Sequence, residues 1–426
     1  MKNFLKSFVA YCLAILSRAI LRKYMPQVVM ITGSVGKTST KDAVAACLKE
    51  KFYLRASEKS YNSEFGVPLT IIGAKNPWLN FWRWITVLEE ALALFVFKNH
   101  YPKLLVLEVG ADRPGDLRRI LDFVTPDAVV VTRLPEVPVH VEAYASPEAV
   151  RQEEFSPAYA LLPDAPLVIS SDDTHAVALA SRLPATVYTY GSEEGTVKIM
   201  NVRTFSTKGK LAGMEADVVV DGETHVLRAE GVLGRQQLGA PGAALALARA
   251  LGLTTKQALK GLQSYVPPPG RARLLEGVND SVLIDDTYNA SPAAVEEILH
   301  SLSYVEQGRK VAILGDMLEL GRYSVEEHAR IGKLAAELVD VVVGVGPRSR
   351  AVIDAARSSG KDEQHALYFG TSDEAAEALP ALITENDLVL IKGSQSIRME
   401  RITKALLKNE KDEVFLVRQE KEWLKR

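Results

Sequence analysis

The sequence predicts an α/β protein of two main units, each with a mainly parallel sheet, the second with helices on both faces. Three observations carry this. Short apolar runs alternate with helix-length segments from Val28 onward. The alternation stops at Pro267-Pro268-Pro269-Gly270 and then restarts. Most of the apolar runs end near glycine, aspartate, glutamate or lysine, as buried parallel strands do where a sheet opens toward a ligand. The chain has 426 residues, 47% apolar and 24% charged, which excludes disorder, collagen-like sequence and a polytopic membrane protein. Its 51 basic and 53 acidic residues nearly cancel, so no nucleic-acid partner is expected. Cys12 and Cys47 fit neither a disulfide framework nor a metal knuckle and point to a reducing, cytoplasmic setting.

Residues 1–27 form the first segment. Phe4, Phe8, Cys12, Ile15 and Ala19 make one stripe of an amphipathic helix, with Lys2, Lys6, Arg18, Arg22 and Lys23 around it. Arg18 interrupts the apolar run, so a membrane span is not predicted. Two readings stand side by side: a helix packed on the next domain, or one attached to a membrane surface.

Residues 28–268 form the central domain. Val28–Thr32 is a strand, Gly33–Gly36 a loop and Lys37–Glu50 a helix. Within 76–100 lies an apolar helical insertion, Ile85–Phe97, preceded by Trp78, Trp82 and Trp84. Its aromatic cluster suits either a lipid interface or a cover for the first helix. Leu104–Glu108, Ala128–Thr132 and Leu167–Ser170 are further buried strands. Val197–Arg228 switches to period two with an Asp221-Gly222 turn, an antiparallel insert. Gly234–Leu251 is an alanine-rich helix. Residues 269–426 form the last domain, with strands at Val282–Asp285, Val311–Leu314, Val341–Val345 and Leu388–Ile391. Val414–Val417 is expected as a closing strand within a solvated tail, Lys408–Arg426.

The strongest chemical signal is Gly33-Ser34-Val35-Gly36-Lys37-Thr38 between a strand and a helix. Glycines let backbone N–H groups approach phosphate, and the helix N-terminus adds a positive end. Lys37 reaches β/γ-phosphates and the Thr38 hydroxyl suits Mg²⁺. Glu108, at a strand end, is placed to hold the same cation. His140 follows a strand after a proline-punctuated loop, and Glu154 on the next helix would share a second cation with it if the loop brings them together. Asp285–Pro292, Gly315–Gly321 and Lys392-Gly393-Ser394 are three polar strand ends in the last domain. Each alone reads as an ordinary turn, whereas together they make a crevice.

In this order, with Asn62–Pro68, Glu108–Ala111, His140–Glu142 and Gly270-Arg271, these motifs resemble the Mur ligase family over about Val28 to Leu407. The Tyr288-Asn289-Ala290-Ser291-Pro292 and Gly315–Gly321 runs are similar to its MurF branch. The resemblance implies a P-loop ATPase central domain closing on a Rossmann-like C-terminal α/β domain. It implies an ADP-forming peptide ligase of peptidoglycan precursor synthesis, using ATP and Mg²⁺. A carboxylate of a muramyl-peptide precursor would be activated as acyl phosphate and joined to an amine such as D-alanyl-D-alanine. By resemblance, Gly33, Ser34, Val35, Gly36, Lys37, Thr38 and Ser39 wrap the phosphates, and Arg271, Asp286 and Asn289 reach the nucleotide. Lys37, Glu108 and His140 are catalytic, Thr38, Glu108, His140 and Glu154 hold metal, and Asn62, Lys392 and Ser394 line the substrate side. Only about 27 residues precede the first strand, so the family's usual UDP-binding domain is not expected. The family's carbamylated lysine falls at Glu154. Its helix asparagine falls at Ala240, with Gln236-Gln237 before it, and further departures are Ser63 and Gln395. Two rivals are a folylpolyglutamate-synthase-like ligase and a Mur-like nucleotide-binding protein without ligase activity.

Overall fold

The computed structural model describes residues 2–58, 61–77, 80–306, 308–420 and 423. Nine strands make the first sheet: β1 (Gln27–Thr32), β2 (Leu54–Ala56), β3 (Leu104–Glu108), β4 (Ala128–Val131), β5 (Pro166–Ser170), β6 (Thr186–Gly191), β7 (Val197–Thr207), β8 (Lys210–Val220) and β9 (Glu223–Glu230). Their order is β2-β3-β1-β4-β5-β6-β7-β8-β9. The pairs through β6–β7 are parallel, and only β7–β8 and β8–β9 are antiparallel. The expected antiparallel insert is therefore an extension of the same sheet.

Alternate residues of one strand feed two different cores. Val29 and Ile31 of β1, with Leu104 and Val106 of β3, pack on one face with helices α2 (Lys37–Leu48) and α8 (Gln236–Ala250). Val28 and Met30, with Leu105 and Leu107, pack on the other. Burial on both faces explains why these strands read as unbroken apolar runs. On that second face lie α1 (Lys2–Tyr24), α3 (Gly66–Ile72) and α4 (Phe81–Val96). The helices α5 (Asp116–Leu121), α6 (Pro147–Tyr159) and α7 (Thr174–Ala180) complete this unit. Ser146 caps α6, accepting a hydrogen bond from the Ala149 N–H, and Pro147 opens it.

The second sheet holds β10 (Arg273–Glu276), β11 (Val282–Asp286), β12 (Lys310–Gly315), β13 (Val341–Val345), β14 (Ala366–Phe369) and β15 (Leu388–Lys392). Its order is β10-β11-β15-β12-β13-β14, parallel except for the edge strand β10.

Two expectations are corrected. Val414–Val417 forms no strand. Glu410–Phe415 is a 3₁₀ helix, and the tail is not simply solvated, because Val417 and Arg418 are buried. The apolar stripe read on α1 is not the face that the helix buries. Leu13, Ser17 and Ile20 are fully buried, whereas Phe8 and Ile15 are at least half exposed. The helix is apolar on opposite faces, so periodicity alone does not select one. The helix after the glycine loop stops at Leu48 rather than Glu50. Trp78 and the side chains of Lys2, Phe4 and Lys6 lie outside the described residues.

Candidate active site between two sheet edges

The C-terminal ends of β3, β1 and β4 are neighbours and face those of β11, β15 and β12. Between them lies a crevice of about 880 Å³. At the end of β1, Gly33 and Gly36 take φ of 114° and 90°, a left-handed geometry that favours glycine. They turn the chain directly into α2. A Cβ at Gly33 would collide with the Thr132 hydroxyl of the neighbouring strand end. Lys37 arches back over the loop, its ammonium hydrogen-bonded to the Gly33 carbonyl and 3.4 Å from that of Ser34. Phosphate oxygens would compete for the same donors.

Glu108 ends β3 and is 1% exposed. Its Oε1 accepts a hydrogen bond from Thr38 Oγ1 at 3.2 Å, and its buried Oε2 has no hydrogen-bond partner. Burial raises its pKa, against the charges of Lys37 and Lys41. A buried carboxylate oxygen without a partner, beside a hydroxyl and a phosphate loop, fits the donor set of Mg²⁺. Glu154, on α6, accepts a hydrogen bond from Ser34 Oγ, and its own carbonyl accepts one from Thr32 Oγ1 at 2.6 Å. Burial also raises the Glu154 pKa, opposed by Lys37, Ser34 and His140.

His140 has a left-handed backbone, φ 68°. Its Nδ1 lies 2.8 Å from Oε2 of Glu319, which belongs to the opposite sheet unit and is left-handed too, φ 64°. Nε2 lies 3.5 Å from Asp112 Oδ1. Burial would lower the His140 pKa, but Glu319 and Asp112 outweigh it and hold the imidazole above its ordinary value. Among the described residues no three His, Cys, Asp or Glu side chains converge as a metal cage. A cation here would take its other ligands from substrate oxygens and water.

From the second unit, Arg271 stacks on the Tyr288 ring at 4.1 Å. Asn289 and Ser394 also line the crevice, and Ser394 Oγ accepts the Leu318 N–H at 2.9 Å. Asn62 enters from the first unit, where its carbonyl accepts the Gly110 N–H at 3.1 Å. Asp286 and Lys392 behave differently from the expectation. They form a buried ion pair at 2.6 Å, with Asp286 Oδ1 accepting the Ala272 N–H and Lys392 reaching the Asn289 carbonyl. Both brace the loop from beneath and do not line the crevice. Ser39 is buried in α2, and Val35 bridges to Arg133.

Sequence reasoning missed Asp112, Glu319, Arg398, Arg401 and Trp423 as crevice residues. Glu319 stands within the Gly315–Gly321 motif, but its partner, His140, lies in the other domain. Trp423 sits in the charge-rich tail, where nothing in the pattern marks a wall residue.

Two family models match: the Mur ligase middle domain over residues 31–248, and the Mur ligase, glutamate ligase domain over 270–395. Similar curated proteins include the UDP-N-acetylmuramoyl-tripeptide–D-alanyl-D-alanine ligases of Bacillus subtilis, at 24% identity, and Escherichia coli, at 26%. Each alignment covers 92% of this chain and 79% of the relative. The MurF ligase of Thermotoga maritima in complex with ADP superposes with a TM-score of 0.76 at 26% identity, covering 95% of this chain and 84% of that one. A Mycobacterium tuberculosis folylpolyglutamate synthase shares the fold at a TM-score of 0.64 and 15% identity, covering 92% and 95%. With a phosphate loop, a strand-end glutamate and a histidine gathered against a second α/β unit, and with both domain models matched in sequence, the chain belongs to the Mur ligase family.

Proposed function

We propose that the crevice performs ATP-dependent amide ligation in peptidoglycan precursor synthesis, joining D-alanyl-D-alanine or a similar amine to a muramyl peptide. The observation that carries this is the convergence of Lys37, Thr38, Glu108 and His140 from one unit with Arg271, Asn289 and Ser394 from the other. The names of the relatives supply the substrate class.

A carboxylate is a poor electrophile, and phosphorylation gives it a leaving group. Lys37 offsets the repulsion between that anion and the γ-phosphate. Thr38 and Glu108 would hold Mg²⁺, which when bound neutralises phosphate charge. Glu319 accepts a hydrogen bond from the Nδ1–H of His140, so that Nε2 would be the nitrogen available to a second cation shared with Glu154. A histidine ligand commonly gives its other N–H to a carboxylate in this way. Arg271, over the Tyr288 ring, presents a cation to the nucleotide. The Gly33–Ser39 turn wraps the phosphates, and Asn62 and Ser394 contact the peptide and amine.

ADP release with UDP-muramyl tripeptide, D-alanyl-D-alanine, ATP and Mg²⁺ tests this, each omitted in turn. Release only when all are present is expected. Release that ignores the peptide and amine, or none with any muramyl peptide, overturns it. Release on a folate with glutamate would instead favour the folylpolyglutamate reading.

A further inference from the structure

The first helix and its neighbour carry an outward face that the ligase site does not use. Helix α1 has five basic residues, Lys2, Lys6, Arg18, Arg22 and Lys23, and no acidic one, in a chain whose acidic residues outnumber its basic ones. Leu13, Ser17 and Ile20 point inward and are fully buried. On the opposite side stand Phe8, Tyr11 and Ile15, which are 55%, 65% and 50% exposed, continued by exposed Arg18 and Arg22. At 100° per residue these five positions span roughly 80° of the helix circumference. They form one stripe, apolar in its first half and cationic in its second.

Helix α4 extends the face. Lys23 hydrogen-bonds the carbonyls of Leu94 and Phe95, each at 2.9 Å, and that of Phe97. Tyr24 Oη reaches the Leu94 carbonyl at 2.9 Å. The carbonyls left open at the end of α4 are thereby satisfied from α1, and the two C-terminal ends are locked side by side. There Leu92, Phe95, Val96 and Phe97 are 52%, 46%, 59% and 66% exposed, beside exposed Lys98. Trp82, at the other end of α4, is 76% exposed. Glu89 and Glu90 are exposed on α4 as well; Glu89, three and seven residues before Leu92 and Val96, lies on their side of the helix, so α4 contributes apolar area while the positive charge comes from α1. Among the described residues no helix is long and apolar enough to cross a membrane.

Large apolar side chains gathered on two adjacent helices of a folded chain mark a docking surface rather than scattered exposure. Cations in line with the apolar stripe select the partner's sign. We infer that this face docks the protein onto an anionic lipid surface. Phe8, Tyr11, Ile15 and the C-terminal end of α4 enter the headgroup boundary, while Arg18 and Arg22 pair with lipid phosphates.

Co-sedimentation of the full chain with vesicles tests this, using phosphatidylglycerol mixed equally with phosphatidylcholine against phosphatidylcholine alone. Binding to the anionic vesicles, weakened by salt, is expected. The double change Arg18→Ala with Arg22→Ala should weaken it about 25-fold, at roughly fivefold per cation. The triple change Phe8→Ser, Tyr11→Ser and Ile15→Ser should abolish it with the melting temperature retained, because all three side chains are at least half exposed. Protein left in the supernatant with both vesicle types overturns the inference. So does equal binding to both with no effect of either variant. Concentration-dependent dimerisation in light scattering, lost in the triple variant and unaffected by vesicles, would assign the face to a second copy of this chain.

Discussion

Replacing Glu319 by alanine should weaken divalent-cation binding at a site that Glu319 supports through its contact with His140. The carboxylate oxygen stands 2.8 Å from Nδ1, with Glu319 45% and His140 28% exposed. A shielded hydrogen bond to a charged group contributes about 1.5–3 kcal/mol. Solvent at a nearly half-exposed carboxylate takes this to the lower end. Carboxylate partners of ligand histidines cost 10–100-fold in affinity when removed, so about tenfold is expected here. Glu319→Gln keeps an acceptor for Nδ1–H and loses only the charge, so about threefold is expected, since charge-assisted bonds are roughly twice as strong. The assay is Mn²⁺ titration with ADP present, free Mn²⁺ being read by electron paramagnetic resonance. Unchanged affinity in both variants at an unchanged melting temperature would refute the coupling. Because Glu319 comes from the second unit, the test also reads whether closure of the two units helps to build the cation site.

Lys37→Ala should lower ligation turnover by at least about 100-fold without unfolding the chain, checked by ADP release and thermal melting. Glu154 already offers a carboxylate beside Ser34, so added bicarbonate should leave turnover unchanged, and strong bicarbonate activation would reject that role. Asp285 is fully buried, with hydroxyls of Thr287 and Thr403 on Oδ1 and no partner on Oδ2. Burial pushes its pKa up from 3.8 to about 6. The folded state therefore binds the proton more tightly, so this stabilisation is full below pH 3.8 and is lost as pH rises through 6. The loss is on the order of 3 kcal/mol. Asp285→Asn should flatten that slope, checked by urea midpoints at acid and alkaline pH, and an unchanged slope would show that another group titrates there.

The fold was legible where burial is two-sided. Strands such as Leu104–Glu108 announce themselves because both faces meet helices. Short edge strands such as Leu54–Ala56, Arg273–Glu276 and Ala366–Phe369 are only partly buried and left little apolar signal. The phosphate loop was readable because its chemistry is contiguous in sequence. Asp286 and Lys392 were recognisable as polar strand ends, but polarity does not say whether a side chain opens to the crevice or pairs beneath it. The Glu319–His140 contact depends on how two units face each other, which no local pattern encodes. The tail was misread because its anchor is polar: Arg418 is buried against Glu400 at 2.7 Å, and an arginine among charges looks solvated in sequence.

That anchor has a consequence for how the protein is handled. Arg418 also donates to the carbonyls of Thr287 and Tyr288, the residues that carry the ring beneath Arg271. The tail is thus a wedge holding one wall of the crevice. Proteolytic trimming behind Leu407 would leave both sheets intact, yet it would free that wall and leave Glu400 with Arg398 as its remaining cationic partner. A preparation nicked there would look folded by circular dichroism with a loosened crevice, so intact mass belongs beside every activity measurement.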